Sequence, residues 1–231
     1  MPEPIRHPLS AVFFDLDGTL VDSRAGVVQA VGEGIRDCFN AHAVELSPPS
    51  QERIIAGLGM PAGLYFRSLL PAEFHHLAAD AQARSTELEI SALAKGHGSL
   101  FDGTLDALGR LREAGLSIGI VSNAQKGYFD AALKYFGLGA LADFHLCHDD
   151  LPVGERAAGK QALLGRALAA LEIAGRLAAM VGDRGDDMSA ARSHGCRGFG
   201  VRCGFGDAQE LEAAERSFDD VHAFVGWLLA N

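Results

Sequence analysis

Three short apolar runs stop abruptly at acidic or hydroxyl-bearing residues. Ala11-Val12-Phe13-Phe14 ends at Asp15, the run 116–121 ends at Ser122-Asn123, and the run 177–181 ends at Gly182-Asp183. Continuous apolar runs of this length, closed by polar and glycine residues, predict strands buried on both faces of a parallel sheet. Residues 144–147 and 196–201 predict two more, the second diluted by glycine. Between these runs the apolar period changes to that of a helix. Leu105, Leu108 and Leu111 share one face of 102–114, and Phe129, Leu133 and Phe136 share one face of 125–136. Segments 160–171, 186–194 and 220–229 repeat the pattern. Alternating strands and helices predict an α/β fold, a Rossmann-like parallel sheet with helices on both faces.

One stretch, residues 21–96, breaks the alternation. Val27, Val28, Val31, Ile35 and Phe39 recur at helical spacing, Pro48-Pro49 marks a turn, and 52–58, 62–70 and 72–93 read as further helices. No strand is expected there. The chain is therefore expected to form a core from residues 1–20 and 97–231, with an all-helical domain of residues 21–96 inserted after the first strand.

Composition narrows the class. Of 231 residues, 48% are hydrophobic and 22% charged, which fits a folded protein with a sizeable core. A net charge of -10 argues against nucleic acid and anionic membrane as partners. A small phosphorylated ligand is still compatible, because a cation inside a cleft outweighs distant surface charge. The four cysteines form no C-x-x-C pair and read as reduced thiols. Residues 1–10 contain no apolar leader, and no run is long enough to span a bilayer, so a cytoplasmic location is expected.

The polar residues that end the strands carry the chemistry. In open parallel sheets, ligands bind beyond the carboxyl ends of the strands. Asp15, Asp17, Ser122, Asn123, Asp183 and Asp187 are thus expected to converge. Carboxylates gathered in one place repel each other unless a cation sits among them, and an all-oxygen set suits Mg²⁺. A structural reading competes at each position: acids after strands often cap helices, and Asp186 in particular suits the first turn of one. His145, Cys147, His148 and Asp149 lack metal-ligand spacing and read as packing residues.

Asp15-Leu16-Asp17-Gly18-Thr19-Leu20 resembles the first motif of the haloacid dehalogenase superfamily. Val121-Ser122-Asn123 is similar to its second motif, and Gly182-Asp183-Arg184-Gly185-Asp186-Asp187 to its fourth, G-D-x-x-x-D. The helical insert stands where that family carries a type-1 cap. The family's third motif is a lysine. Among Lys95, Lys126, Lys134 and Lys160, only Lys160 lies between the fourth strand and the Asp183 loop. Many relatives have Lys-Pro there, whereas this chain has Gly159-Lys160-Gln161.

The resemblance implies a Mg²⁺-dependent phosphatase acting on a small phosphorylated metabolite. Asp15 would be the nucleophile and Asp17 the proton donor and acceptor. Gly18, Ser122, Asn123 and Lys160 would hold the phosphoryl group. Asp15, the Asp17 carbonyl and Asp183 would hold the metal, with Asp187 bracing the site. Arg184, the 154–160 stretch and Gly204-Phe205-Gly206 resemble a phosphoglycolate phosphatase-like and 5'-nucleotidase-like subgroup. The alternatives are a 5'-nucleotidase, a phosphomutase of the β-phosphoglucomutase type, a metal-independent 2-haloacid dehalogenase, or a non-catalytic binding protein. Cap residues would set the substrate. The turn 57–61 is expected to face the site, and Arg53 and Arg67 beside it are candidates to reach a carboxylate or second phosphate.

Overall fold

A computed structural model describes residues 9–231. Residues 1–8, part of the segment read as lacking a leader, lie outside the described residues. In chain order the elements are β1 (Ala11–Phe14), β2 (Val21–Asp22), α1 (Arg24–Ala41), α2 (Gln51–Ala56), α3 (Ala62–Leu69) and α4 (Ala78–Ala94). There follow β3 (Ser99–Leu100), α5 (Thr104–Glu113), β4 (Ser117–Ser122), α6 (Lys126–Tyr135) and β5 (Phe144–Cys147). The chain ends with α7 (Lys160–Ala170), β6 (Ala178–Gly182), α8 (Gly185–Ser193), β7 (Arg197–Val201), β8 (Arg216–Phe218) and α9 (Val221–Leu228).

Six strands form one sheet in the order β5-β4-β1-β6-β7-β8, every pairing parallel. Burial on both faces explains why β1 is apolar throughout. Val12 and Phe14 pack with Leu108, Phe129 and Phe224, from α5, α6 and α9. Ala11 and Phe13 pack the other way with Leu163, Leu164 and Leu168 of α7 and Ala190 of α8. After β1 the chain builds outward through β4 and β5, then returns through β6 on the other side. That reversal opens a crevice at the carboxyl ends of β1, β4 and β6, where such sheets bind ligands.

The helices of residues 24–94 carry a core of their own, including Val31, Ile35, Phe39, Phe66 and Leu69. Helices α1 and α4 come close at Gly34, where a Cβ would strike the Ser85 backbone. The expectation of no strand within 21–96 is corrected at its edge. Val21–Asp22 pairs antiparallel with Ser99–Leu100, joining the two chain crossings between sheet and helices. A two-residue ladder is too short to leave a period in the sequence. Strand β8 was not foreseen either, because Arg216-Ser217-Phe218 has a single buried apolar residue.

Within the sheet, Phe13 lies directly opposite Gly119 in the register of β1 and β4. Any Cβ at 119 would run into the Phe13 ring, so the bare backbone makes room for the aromatic. Gly119→Val is expected to lower stability by about 2 kcal/mol through overpacking, read as a lower urea midpoint at unchanged m.

Candidate active site

The site is built on residues that immediately follow or end three adjacent strands. Asp15 follows β1, and its N–H donates to Val181 O at 3.0 Å, continuing the ladder by one residue. Ser122 ends β4 and Asp183 follows β6. Asp15, Asp183 and Asp187 are all buried, and their carboxylate oxygens lie within 4.8 Å of one another.

Lys160 enters this group from the first turn of α7. Its Nζ is 2.6 Å from Asp15 Oδ1. It is also 2.9 Å from Asp187 Oδ1, an ion pair without the alignment of a hydrogen bond. A cation in the first turn of a helix opposes the dipole, and burial opposes its charge. Burial alone would lower the Lys160 pKa, but Asp15 and Asp187 outweigh it and hold the ammonium well above its ordinary range. The carboxylates move upward. Burial dominates at Asp15, opposed by Lys160 and reinforced by Asp183. Burial also raises Asp183, with Asp187 adding to it. Asp187 is pushed up to about 7, again chiefly by burial, with Lys160 pulling the other way.

Asp183 sits in a cradle of backbone. Phe205 N–H and Gly206 N–H donate to its Oδ2 at 2.6 and 3.2 Å, and Thr19 Oγ1 reaches its Oδ1 at 3.4 Å. A Cβ on Gly18 or Gly204 would strike its carboxylate. Gly18 also holds a φ of +81°, which favours glycine. Asp187 accepts from the Arg184 N–H at 3.0 Å, and a Cβ on Gly182 would collide with it.

Asp17 lies beside Asp15 but turns its carboxylate to Tyr128, whose hydroxyl donates to Oδ1 at 2.6 Å. Burial raises the Asp17 pKa, and Tyr128 partly offsets that. Ser122 Oγ accepts from Ala124 N–H at 3.1 Å. Asn123 Nδ2 donates to Gly59 O at 2.8 Å and to Asp186 Oδ2 at 2.9 Å. Asp186 therefore faces Asn123, while Asp187 is the one buried against Lys160.

Above these residues is a cavity of about 80 Å³. Asp15, Asp17, Ser122 and Asn123 line its sheet end, and Leu58, Gly59 and Met60 of the 57–61 turn line the helical end. Arg53 and Arg67 do not line it. Arg53 donates to Ser68 O at 2.6 Å and Arg67 lies 3.3 Å from His75, both on exposed helical surface. Spacing on a short helix could not show which way those side chains turn.

Sequence reasoning passed over Tyr128 and Glu89, which line the cavity, and the Phe205 and Gly206 amides. The Gly204-Phe205-Gly206 run was the only signal for the amides, and it reads equally as a plain turn. His145, Cys147 and His148 join no metal-ligating group among the described residues. One further group, Cys38, His42 and Asp80, lies on the helical insert. There Asp80 is already paired with Arg84 at 3.0 Å, and burial pushes the Cys38 thiol up to about 11.

Lys160→Met leaves buried carboxylates without their cation, a change that costs about 3 kcal/mol or more in proteins. Raised carboxylate pKa values make native stability greatest at low pH and erode it as pH rises toward the Asp187 value of about 7. Losing Lys160 raises those pKa values further. The penalty is therefore expected to be largest above pH 7 and to shrink by pH 5, where the carboxyls are protonated. Urea titrations of both proteins at pH 5 and pH 8 measure it.

Comparison with known proteins agrees with this geometry. Residues 9–195 match the model of the haloacid dehalogenase-like hydrolases. A Chromobacterium violaceum protein named phosphoglycolate phosphatase is 30% identical over 90% of this chain and 91% of its own. A Dickeya dadantii protein named "Probable phosphatase IndB" is 29% identical over 88% of this chain and 86% of its own. The crystal structure of a predicted phosphoglycolate phosphatase from Haemophilus somnus superposes with a TM-score of 0.82 at 19% identity, covering 95% and 98% of the two chains. With its parallel sheet, its helical insert and its ordered aspartate motifs, the chain belongs to the haloacid dehalogenase-like hydrolase family.

Proposed function

We propose that this protein is a Mg²⁺-dependent phosphatase that hydrolyses a small phosphorylated metabolite through an aspartyl-phosphate on Asp15. The observation that carries the reading is the ion pair of Lys160 with Asp15, which belongs to a group of three buried carboxylates and itself lines the cavity. Relatives named phosphoglycolate phosphatase support a phosphoglycolate phosphatase-like reading. We also propose that residues 21–96 act as a cap over the site and that the protein works in the cytoplasm.

The donor set fits a divalent cation. It is all oxygen, and Gly18 and Gly204 stand where any Cβ would strike the Asp183 carboxylate. Asp15, the Asp17 carbonyl and Asp183 would hold Mg²⁺, with Asp187 beside them. Bound there, Mg²⁺ supplies positive charge that screens the repulsion between a carboxylate nucleophile and an anionic phosphate.

The chain's own groups do the rest. Asp15 attacks phosphorus in line, and the P–O bond to the alcohol breaks. Lys160 holds Asp15 in its ionised form and offers its ammonium to the phosphoryl oxygens. Ser122 and the backbone N–H groups near Gly18 and Asn123 complete that cradle. Asp17, with its raised pKa, gives its proton to the departing alkoxide. It then takes a proton from the water that attacks phosphorus, releasing phosphate and restoring Asp15.

Phosphate release from a panel of phosphate monoesters tests this reading. Activity is expected with Mg²⁺, lost in EDTA and restored by the metal. Asp15→Asn is expected to keep the native fold by circular dichroism and to lose at least about a thousandfold in kcat, since it removes a nucleophile. Activity of Asp15→Asn near wild type would contradict the proposal. Product analysis separates the alternatives: an isomerised ester marks a phosphomutase, and halide release without metal marks a dehalogenase.

A further inference from the structure

The cavity beside Asp17 has a polar side that the phosphatase chemistry leaves unused. Glu89, on α4, lines it together with Thr86, Gln125 and Tyr128. Glu89 has no hydrogen bond or ion pair with any described residue. Burial, with the Asp17 charge adding to it, pushes the Glu89 carboxyl up to about 8. Carbon-rich side chains, Val27, Leu58, Met60 and Phe66, line the same cavity.

No arginine, lysine or histidine lines this cavity among the described residues. His97 lies on a separate small pocket that Glu89 also lines, and three other cationic side chains are engaged elsewhere. Lys160 lies beneath the floor between Asp15 and Asp187. Arg184 pairs with Glu210 at 2.9 Å, and Arg24 donates to Gly204 O at 2.8 Å. Above pH 8, where Glu89 is ionised, an anionic group brought in beside it would find a like charge and no counter-charge, a combination that disfavours binding.

The same wall suits a donor. Glu89 offers acceptor oxygens. Gln125 Oε1 is held by the Thr86 hydroxyl at 2.6 Å, and Gln125 Nε2 has no hydrogen-bond partner. A hydroxyl can donate to the first and accept from the second.

We propose, resting on the phosphatase reading, that Glu89 selects phosphate monoesters by their alcohol half. The favoured half is small and presents hydroxyl or ammonium donors to Glu89, and it carries no carboxylate or second phosphate. Glu89 is then a specificity residue, and phosphoglycolate is a poor substrate despite the names of the relatives.

Three probes of similar size decide it: glycerol 3-phosphate, O-phosphoethanolamine and 2-phosphoglycolate. Their kcat/KM values are compared with Mg²⁺ at pH 9, where Glu89 is ionised, in the wild type and in Glu89→Gln. The wild type is expected to favour at least one of the first two over phosphoglycolate by about tenfold or more, and the faster of them identifies the donor. Glu89→Gln is expected to raise kcat/KM for phosphoglycolate by about tenfold while lowering that for phosphoethanolamine. A wild type that hydrolyses phosphoglycolate as well as the other two overturns the proposal without any variant. So does a Glu89→Gln change that moves all three probes by the same factor. Absence of phosphate release from all three and from p-nitrophenyl phosphate would instead overturn the phosphatase reading itself.

Discussion

A single buried ammonium organises the centre of this molecule. Lys160 is 2% exposed and faces Asp15 and Asp187, which are equally enclosed. Three buried carboxylates against one buried lysine leave an excess of two negative charges, the charge that a divalent cation balances. Burial opposes that excess by raising the carboxyl pKa values. Close approach of these groups also dictates glycine around them. Gly18, Gly182 and Gly204 each stand where a Cβ would strike Asp183 or Asp187. What looks like loop composition in the sequence is the clearance needed for a crowded charged centre.

The helical insert is tied to that centre through few, specific contacts. Asn123, at the end of β4, donates to Gly59 O of the 57–61 turn and to Asp186 of α8. Arg184 reaches Ala56 O at 3.3 Å while paired with Glu210, and Gly59 packs against its side chain. Arg24 stacks over Phe205, whose own N–H holds Asp183. Three of these contacts, Asn123 with Gly59, Arg184 with Ala56 and Phe205 with Arg24, join the strand-end loops to the insert. The cavity is lined by both parts of the chain, Asp15, Ser122 and Tyr128 from the core and Leu58, Phe66 and Glu89 from the insert.

Much of this was legible in the sequence, for identifiable reasons. Strands β1, β4 and β6 are buried on both faces, so they stand out as apolar runs, and the polar residues that stop them mark the crevice. Lys160 was found by its order along the chain, since four lysines left one candidate between the fourth strand and Asp183. Strand β8 and the β2–β3 ladder escaped because they are too short or too polar to carry a period. Tyr128 was hidden by its neighbour Phe129, which dominates the apolar face of α6. Glu89 looks like any solvated helix acid until the fold sets it beside Asp17. Arg53 and Arg67 had the right charge and neighbourhood, but their side chains turn to Ser68 and His75. Motifs tied to the backbone of strand ends were readable; side chains whose role depends on packing between distant segments were not.

The account rests on Asp15 forming a covalent bond to phosphorus. Aspartyl-phosphates are acyl phosphates, and borohydride reduces them to homoserine at the position of the aspartate. The protein would be quenched with borohydride during turnover with Mg²⁺ and a phosphate monoester, then digested and mapped by mass spectrometry. The account predicts homoserine at position 15, dependent on substrate and metal. Conversion at another aspartate, or none during turnover, would contradict it.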